Sequence, residues 1–214
     1  MLLHLIKKEF VVIQKQTLWM IGLVILIPLF ILWRLPQYAN YLGFVFSVIY
    51  GTFIMLSYIC LAEYQCEKAS AYLCTTPYPR KYLVLSKYFF CLIVYLFCAL
   101  MFRLETLLLP QLGGLSLPLA GGAFLLIALL CGIYLPICYY FGYDKTKFVY
   151  VIIVLGLSYL LPSMMKFNIT NSISRLFTGT SPNLAGAGIF LAGILIFALS
   201  ALVSVRIYDR KDLV

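Results

Sequence analysis

The chain has 214 residues, of which 64% are hydrophobic and only 11% are charged, and its formal net charge is +9. Soluble domains carry about 25% charged residues, so the composition excludes a soluble domain and indicates a polytopic membrane protein. The basic residues lie in short segments between apolar runs, where they orient membrane spans, and the positive charge therefore does not indicate a partner nucleic acid.

The first 16 residues predict an amphipathic helix that lies on the membrane surface. Apolar side chains recur at helical spacing, and one histidine and three lysines fall on the other side. The apolar set is Leu3, Ile6, Phe10 and Ile13, and the polar set is His4, Lys7, Lys8 and Lys15. We expect no cleavable signal peptide, because charged residues at positions 7–9 interrupt the apolar run.

Six apolar segments follow, each near the ~20 residues that cross a hydrocarbon layer. The predicted spans are 18–35, 41–62, 88–109, 118–141, 148–165 and 184–205. In the sixth span, Gly188 and Ala192 form a small-xxx-small pair that favours close helix contact. The fold class is therefore all-α integral membrane, with residues 1–214 in one transmembrane domain.

The longest run of mixed charge is the segment 63–87, which carries two acids and four bases. Because apolar spans close in on both sides of it, we expect it to lie in water at one membrane face. The Pro-Tyr-Pro sequence at 77–79 predicts a break between two short helical pieces. The second piece begins at Arg80 and continues into the third span.

Counting the basic residues predicts the orientation of the chain. With a cytoplasmic N-terminus, the inner segments hold twelve Lys and Arg and the outer segments hold four, which together are the 16 in the sequence. Positive residues accumulate on the cytoplasmic side. We therefore expect both termini and the segment 63–87 to be cytoplasmic.

The residue types needed by several membrane enzymes and metal sites are missing. His4 is the single histidine of the sequence, and Glu105 is the single acid in a predicted span, so neither a histidine metal site nor an aspartyl dyad is expected. No Gly-x-Ser-x-Gly or Gly-x4-Gly-Lys-Ser/Thr motif occurs, so the chain is not expected to bind ATP by itself. Seven cysteines lie in spans or in the segment 63–87, and we expect all of them to be reduced.

Four stretches together resemble small ABC exporter permeases of the ABC-2 type. They are EKASAYLCTTPYPRKYLVLSKY between the second and third spans, YLPICYYFGYDKTKFVYVIIV from the end of the fourth span through the second inner loop, LIKKEF at the start and YDRKDL near the end. The resemblance extends over the whole length. It implies a bacterial cytoplasmic-membrane permease that forms a homodimer or heterodimer and docks two ATPase subunits, to which ATP and Mg²⁺ bind.

In the family that the chain resembles, the inner segment between spans two and three is a coupling helix seated in a groove of the ATPase. Carried over, segment 63–87 becomes the coupling loop, and the short loop after span four supplies a second contact. The implied docking positions are Glu63, Glu67, Lys68, Tyr72, Thr76, Arg80, Lys81, Asp144 and Lys145. Permeases that the chain resembles handle amphipathic or antimicrobial peptides, other toxic amphiphiles, or ions, and we expect amphipathic peptides, antimicrobials or related amphiphiles as the substrate class.

Arg103 and Glu105 lie near the far end of span three and are the candidate lining of the substrate path. Two residues apart on a helix, they point about 200° from each other and cannot pair. Glu105 must then be protonated, face water, or meet a base from another helix such as Arg34 or Lys166. An ATP-independent secondary carrier or a membrane scaffold protein remains the alternative function.

Overall fold

The computed structural model describes residues 2–65, 80–166 and 182–209, and these ranges are almost wholly helical. They contain seven α-helices, joined in two places by a short 3-10 turn. The helices are α1 (Leu2–Val12), α2 (Gln14–Arg34), α3 (Ala39–Gln65), α4 (Arg80–Leu108), α5 (Leu117–Phe141), α6 (Tyr143–Lys166) and α7 (Pro182–Asp209). The predicted all-α class is confirmed.

Within the described residues, five helices are long and apolar enough to cross a membrane: α2, α3 with its preceding turn, α4, α5 and α7. They coincide with five of the six predicted spans. Helix α6 has 24 residues and covers the predicted fifth span, 148–165. That α6 crosses the membrane stays a prediction, as does the membrane-surface position of α1.

The helices extend past the predicted span boundaries into polar sequence. Helix α3 continues to Gln65, and α4 begins at Arg80, eight residues before the predicted third span. Hydropathy identifies only the apolar part of a helix. The helix itself continues until its regular backbone hydrogen bonding stops. The two ends of the predicted coupling loop are therefore helical, and its residues 66–79 lie outside the described part of the chain.

Helix α3 is the central helix of the bundle. In the apolar segment of α3, 61% of the residues are buried, compared with 17% in α2 and 11% in α7. Helices α2 and α7 are therefore peripheral. The Phe53 ring packs edge-on against Tyr134 of α5 at 5.8 Å between centroids, and Phe44 meets Phe102 of α4 at 5.0 Å. Aromatic pairs thus fill the core on two sides of α3.

Glycines bring α5 and α7 into backbone contact. A methyl group at Gly121 would lie 2.7 Å from the carbonyl oxygen of Gly186, and one at Gly186 would lie 2.7 Å from the backbone nitrogen of Pro118. The predicted contact pair, Gly188 and Ala192, does not make this contact within the described part of the chain, where Gly188 is exposed and no atom lies within 4 Å of the position of a methyl group. Small residues crowd 185–188, so sequence spacing alone could not identify the packed face.

Successive long helices run in opposite directions, so the connections between them lie at two ends of the bundle, which we call the turn end and the loop end. The turn end contains the 3-10 turns Pro36–Tyr38 and Pro110–Leu112. The loop end contains Gln65, Arg80 and the junction between α5 and α6. At that junction Gly142 has a φ of 81°, in the left-handed region that favours glycine, and the chain passes from α5 directly into α6.

Candidate functional site

A partly buried ion pair joins the two helices that bracket residues 66–79. The Lys87 Nζ of α4 lies 2.5 Å from the Glu63 Oε2 of α3. The side chain of Lys87 is 5% exposed and that of Glu63 is 34% exposed. Sequence analysis placed Lys87 in a water-exposed segment, and this was wrong. Lys87 belongs to the buried stripe of α4, between Val84 and Cys91.

Glu9 of α1 is the third charged member of this group. It is 3% exposed, and its Oε1 lies 3.8 Å from the Lys8 Nζ. Burial raises the pKa of the Glu9 carboxyl above its ordinary value, and the negative charge of Glu63 acts in the same direction, whereas Lys87 and Lys8 lower it. We refer to Glu9, Glu63 and Lys87 as the loop-end cluster.

Aromatic rings extend the loop-end cluster to the remaining helices. The Lys87 Nζ lies 5.1 Å from the ring centroid of Tyr139 in α5, and Tyr139 packs edge-on against Tyr208 of α7 at 5.3 Å. Tyr64 of α3 meets Tyr143 of α6 at 5.6 Å. The cluster and these rings therefore bring all the described helices except α2 together at one end of the bundle.

The two segments assigned as coupling positions meet at this end. Glu63 is adjacent to Tyr64, and Tyr143 is adjacent to the second predicted contact, Asp144 and Lys145. Lys81 and Lys145 are exposed there, and Arg80 is the first residue of α4. Four assigned positions lie outside the described residues, namely Glu67, Lys68, Tyr72 and Thr76.

Sequence analysis did not assign Glu9 or Lys87 a role, although helical periodicity carried a signal for both. Glu9 falls on the apolar face of α1 that includes Ile6 and Ile13, and Lys87 falls on the apolar stripe of α4. A charged residue at a position where helical periodicity predicts an apolar one indicates that a partner for its charge is buried with it.

The turn end presents a different kind of acid. Glu105 is 8% exposed, and neither of its carboxylate oxygens has a hydrogen-bond partner among the described residues. Arg103 is exposed, so the predicted divergence of the two side chains is confirmed. Of the predicted partner bases, Arg34 is placed over the Trp33 ring at 5.0 Å and does not pair with Glu105, and the side chain of Lys166 is outside the described part.

Between the two ends, hydroxyl groups connect three helices. The Tyr88 hydroxyl of α4 lies 2.8 Å from the Ser200 Oγ and 2.7 Å from the Ser204 Oγ of α7. Ser200 in turn donates to the carbonyl oxygen of Gly132 in α5 at 2.9 Å. Such hydrogen bonds hold helices together where lipid offers no alternative partner.

No group of His, Cys, Asp and Glu within the described ranges has the arrangement of a metal site. Five cysteines there are free thiols, and Cys66 and Cys74 lie outside those ranges.

Comparison with known families identifies one match that covers nearly the whole chain. A family model described as "ABC-2 family transporter protein" matches residues 4–209. No curated protein and no solved structure matches the chain. The matched range includes the loop-end cluster, Glu105 and all the positions assigned to coupling.

Proposed function

Because the chain belongs to the ABC-2 family of transporter proteins, we propose that it is the permease subunit of an ATP-driven exporter. The family component is a multi-pass membrane permease and not an ATPase, and an ABC transporter supplies ATP hydrolysis from a partner chain. Export as the direction, two copies of the ATPase with ATP and Mg²⁺ bound to them, and a second permease subunit are parts of the proposal. The family match favours this function over an ATP-independent carrier or scaffold.

The observation that carries the proposal is the construction of the loop end. The Glu63–Lys87 pair connects α3 and α4 immediately outside residues 66–79, and Tyr64 contacts Tyr143 at the start of the second short loop. A partner that binds both loops would therefore act on helices that are already tied together. The ion pair resists separation of its helices, because Lys87 would remain as an unpaired charge in the interior, which is costly.

The proposed mechanism is a shift between two arrangements of the bundle. ATP-driven closure of the two ATPase subunits moves the coupling loop 63–87, and the loop-end cluster transmits the movement to α1, α3 and α4. The partner changes the equilibrium only by binding the two arrangements with different affinity. Exposed Lys81 and Lys145 supply charge for that contact, together with Glu67 and Arg80.

The membrane arrangement in the proposal has six spans, with α6 as the fifth, α1 on the membrane surface and both termini in the cytoplasm of a bacterium. The basic residues at the loop end support this orientation. The loop end is then the cytoplasmic end and faces the ATPase, whereas the turn end faces outward.

The proposed substrates are amphipathic peptides, antimicrobials or related amphiphiles, and Glu105 is proposed to line the outer mouth of their path. Glu105 is a buried carboxyl group without a partner among the described residues, at the bundle end opposite the coupling loop. Ionisable groups within spans are expensive and commonly mark a transport path.

Charge reversal in the coupling loop tests the proposed function. We expect Glu67→Lys and Arg80→Glu to insert normally but to lose most of the substrate-stimulated ATP hydrolysis of the partner. Truncating one member of a desolvated charge pair costs about 2–5 kcal/mol. The matched control is Lys7→Glu, an exposed lysine on α1. If both loop variants still retain the ATPase in pull-down and transport normally, the coupling role is rejected.

A further inference from the structure

An apolar groove of about 530 Å³ lies between α2 and α3. Its α2 wall includes Leu23, Ile27 and Phe30, and its α3 wall includes Phe46, Tyr50 and Ile54. Apart from Tyr50, the lining side chains contain no polar atom. Leu26 and Phe30 at the rim are 61% and 54% exposed, so the groove opens to the surroundings of the bundle.

The α2 wall of the groove leads to an arginine. Leu23, Ile27, Phe30 and Arg34 are spaced by three or four residues and therefore share one face of the helix. Arg34 ends α2, its side chain is exposed, and its guanidinium lies over the exposed ring of Trp33 at 5.0 Å. Among the described residues, no carboxylate lies within ion-pair distance of Arg34.

The depth of the groove matches one leaflet of a bilayer. Leu23 lies eleven residues before Arg34, which is about 16 Å along the helix axis. A leaflet is half of a hydrocarbon layer of about 30 Å. When α2 crosses the membrane, Arg34 is therefore at the depth of the lipid headgroups and Leu23 is near the midplane, with Trp33 in the interfacial belt.

We propose that this groove binds an anionic phospholipid of the surrounding bilayer, with one acyl chain along Leu23–Phe30 and the phosphate on Arg34. The charge at one end favours a lipid over a helix from a second copy of the chain. An apolar helix in the groove would leave the guanidinium without a counter-charge, whereas a lipid phosphate supplies one with two oxygens that suit an arginine. The site goes beyond the proposed transport function and requires only that α2 spans the membrane.

The amount of lipid that the purified protein retains tests the proposed contact between Arg34 and the lipid phosphate. The purified full-length protein is extracted from bilayers of phosphatidylglycerol and phosphatidylcholine, and the bound lipids are weighed by native mass spectrometry. Loss of one arginine from an anionic-lipid contact weakens it by about fivefold, so Arg34→Gln is expected to lower retained phosphatidylglycerol by that factor. Arg206→Gln, an exposed arginine in the last turn of α7, is the control and is expected to retain it. Equal retention by the two variants would overturn the headgroup assignment.

A second measurement tests whether a lipid occupies the groove, with Arg34 left unchanged. A photoactivatable benzoylphenylalanine at Leu26 is irradiated in the same bilayers, and the product is weighed. The proposal expects the added mass of phosphatidylglycerol, and the same probe at Leu195, an exposed leucine of α7, is expected to crosslink both lipids without preference. Crosslinking of the Leu26 probe to a second protein chain, or equal labelling by both lipids, rejects the proposed site.

Discussion

The two ends of the bundle differ in how their carboxyl groups are partnered. At the loop end, Glu63 forms an ion pair with the buried Lys87 and so joins two helices, and Glu9 interacts electrostatically with both. At the turn end, Glu105 is buried with no partner among the described residues, and the helices are held by backbone contact at glycines. The difference separates two roles: paired charge that holds helices in register, and an unpaired ionisable group that is retained at a cost and is therefore a candidate for function.

Breaking the ion pair at the loop end is expected to have the largest effect. Glu63→Gln should lower the free energy of unfolding by about 3 kcal/mol, because it leaves Lys87 buried without its partner. The estimate is at the lower end of the usual range, since solvent screens the one-third-exposed Glu63 and Glu9 remains near Lys87. Thermal and denaturant unfolding in detergent measures the change.

Two further variants sharpen this prediction. The double variant Glu63→Gln/Lys87→Met should recover most of the lost stability, because an apolar replacement of a whole buried pair is often neutral. Lys7→Gln, at an exposed position of α1, should have the stability of the wild type. If Glu63→Gln is as stable as Lys7→Gln, the pair does not hold the loop end together.

At the turn end, we expect stability to depend on helix packing and not on charge pairing. Gly186→Ala should cost about 2 kcal/mol of unfolding free energy, because its methyl group meets the backbone of Pro118 and α5 and α7 must separate. Gly188→Ala is the matched control two residues away, where no atom of a described residue lies within 4 Å of the added methyl group. The same unfolding assay compares the two, and equal losses would show that the close contact is not important for stability.

Removing the unpaired carboxyl group should affect transport more than stability. Glu105→Gln is expected to change the free energy of unfolding by no more than about 1 kcal/mol, because no ion pair or hydrogen bond to a described residue is lost. Export by the reconstituted transporter should decrease. Unchanged export together with unchanged stability would leave only a structural or incidental role for this acid.

The smallest effect concerns the pH dependence that Glu9 contributes. Its pKa is raised above the ordinary value of 4.5, so the folded state keeps this proton longer than the unfolded state. Stability should therefore decline as pH rises from about 4.5 through the raised pKa. Glu9→Gln should show a weaker decline in the same interval, measured as unfolding at a series of pH values. A steeper decline in the variant would contradict the assigned direction.

The resemblance read from four short stretches is confirmed by the family match, and the helices follow the predicted order. The helix predicted to begin at Arg80 and to continue into the third span is confirmed, whereas the water-exposed position expected for Lys87 is wrong, because Lys87 is buried in that helix. Polarity marks where a span leaves the apolar pattern, but it does not mark where the backbone hydrogen bonds of the helix end.

The sequence by itself determined the fold class, an all-helical membrane protein, since apolar segments long enough to cross a bilayer form membrane helices in almost every case. It also determined that Arg103 and Glu105 diverge, because helical geometry is local. Only the tertiary structure decided which charges meet: the partner of Lys87 lies 24 residues away in another helix, and Glu9 arrives from the N-terminal helix. It likewise decided that Gly186 and not Gly188 packs against α5, because helix rotation is set by neighbouring helices and not by the spacing of small residues.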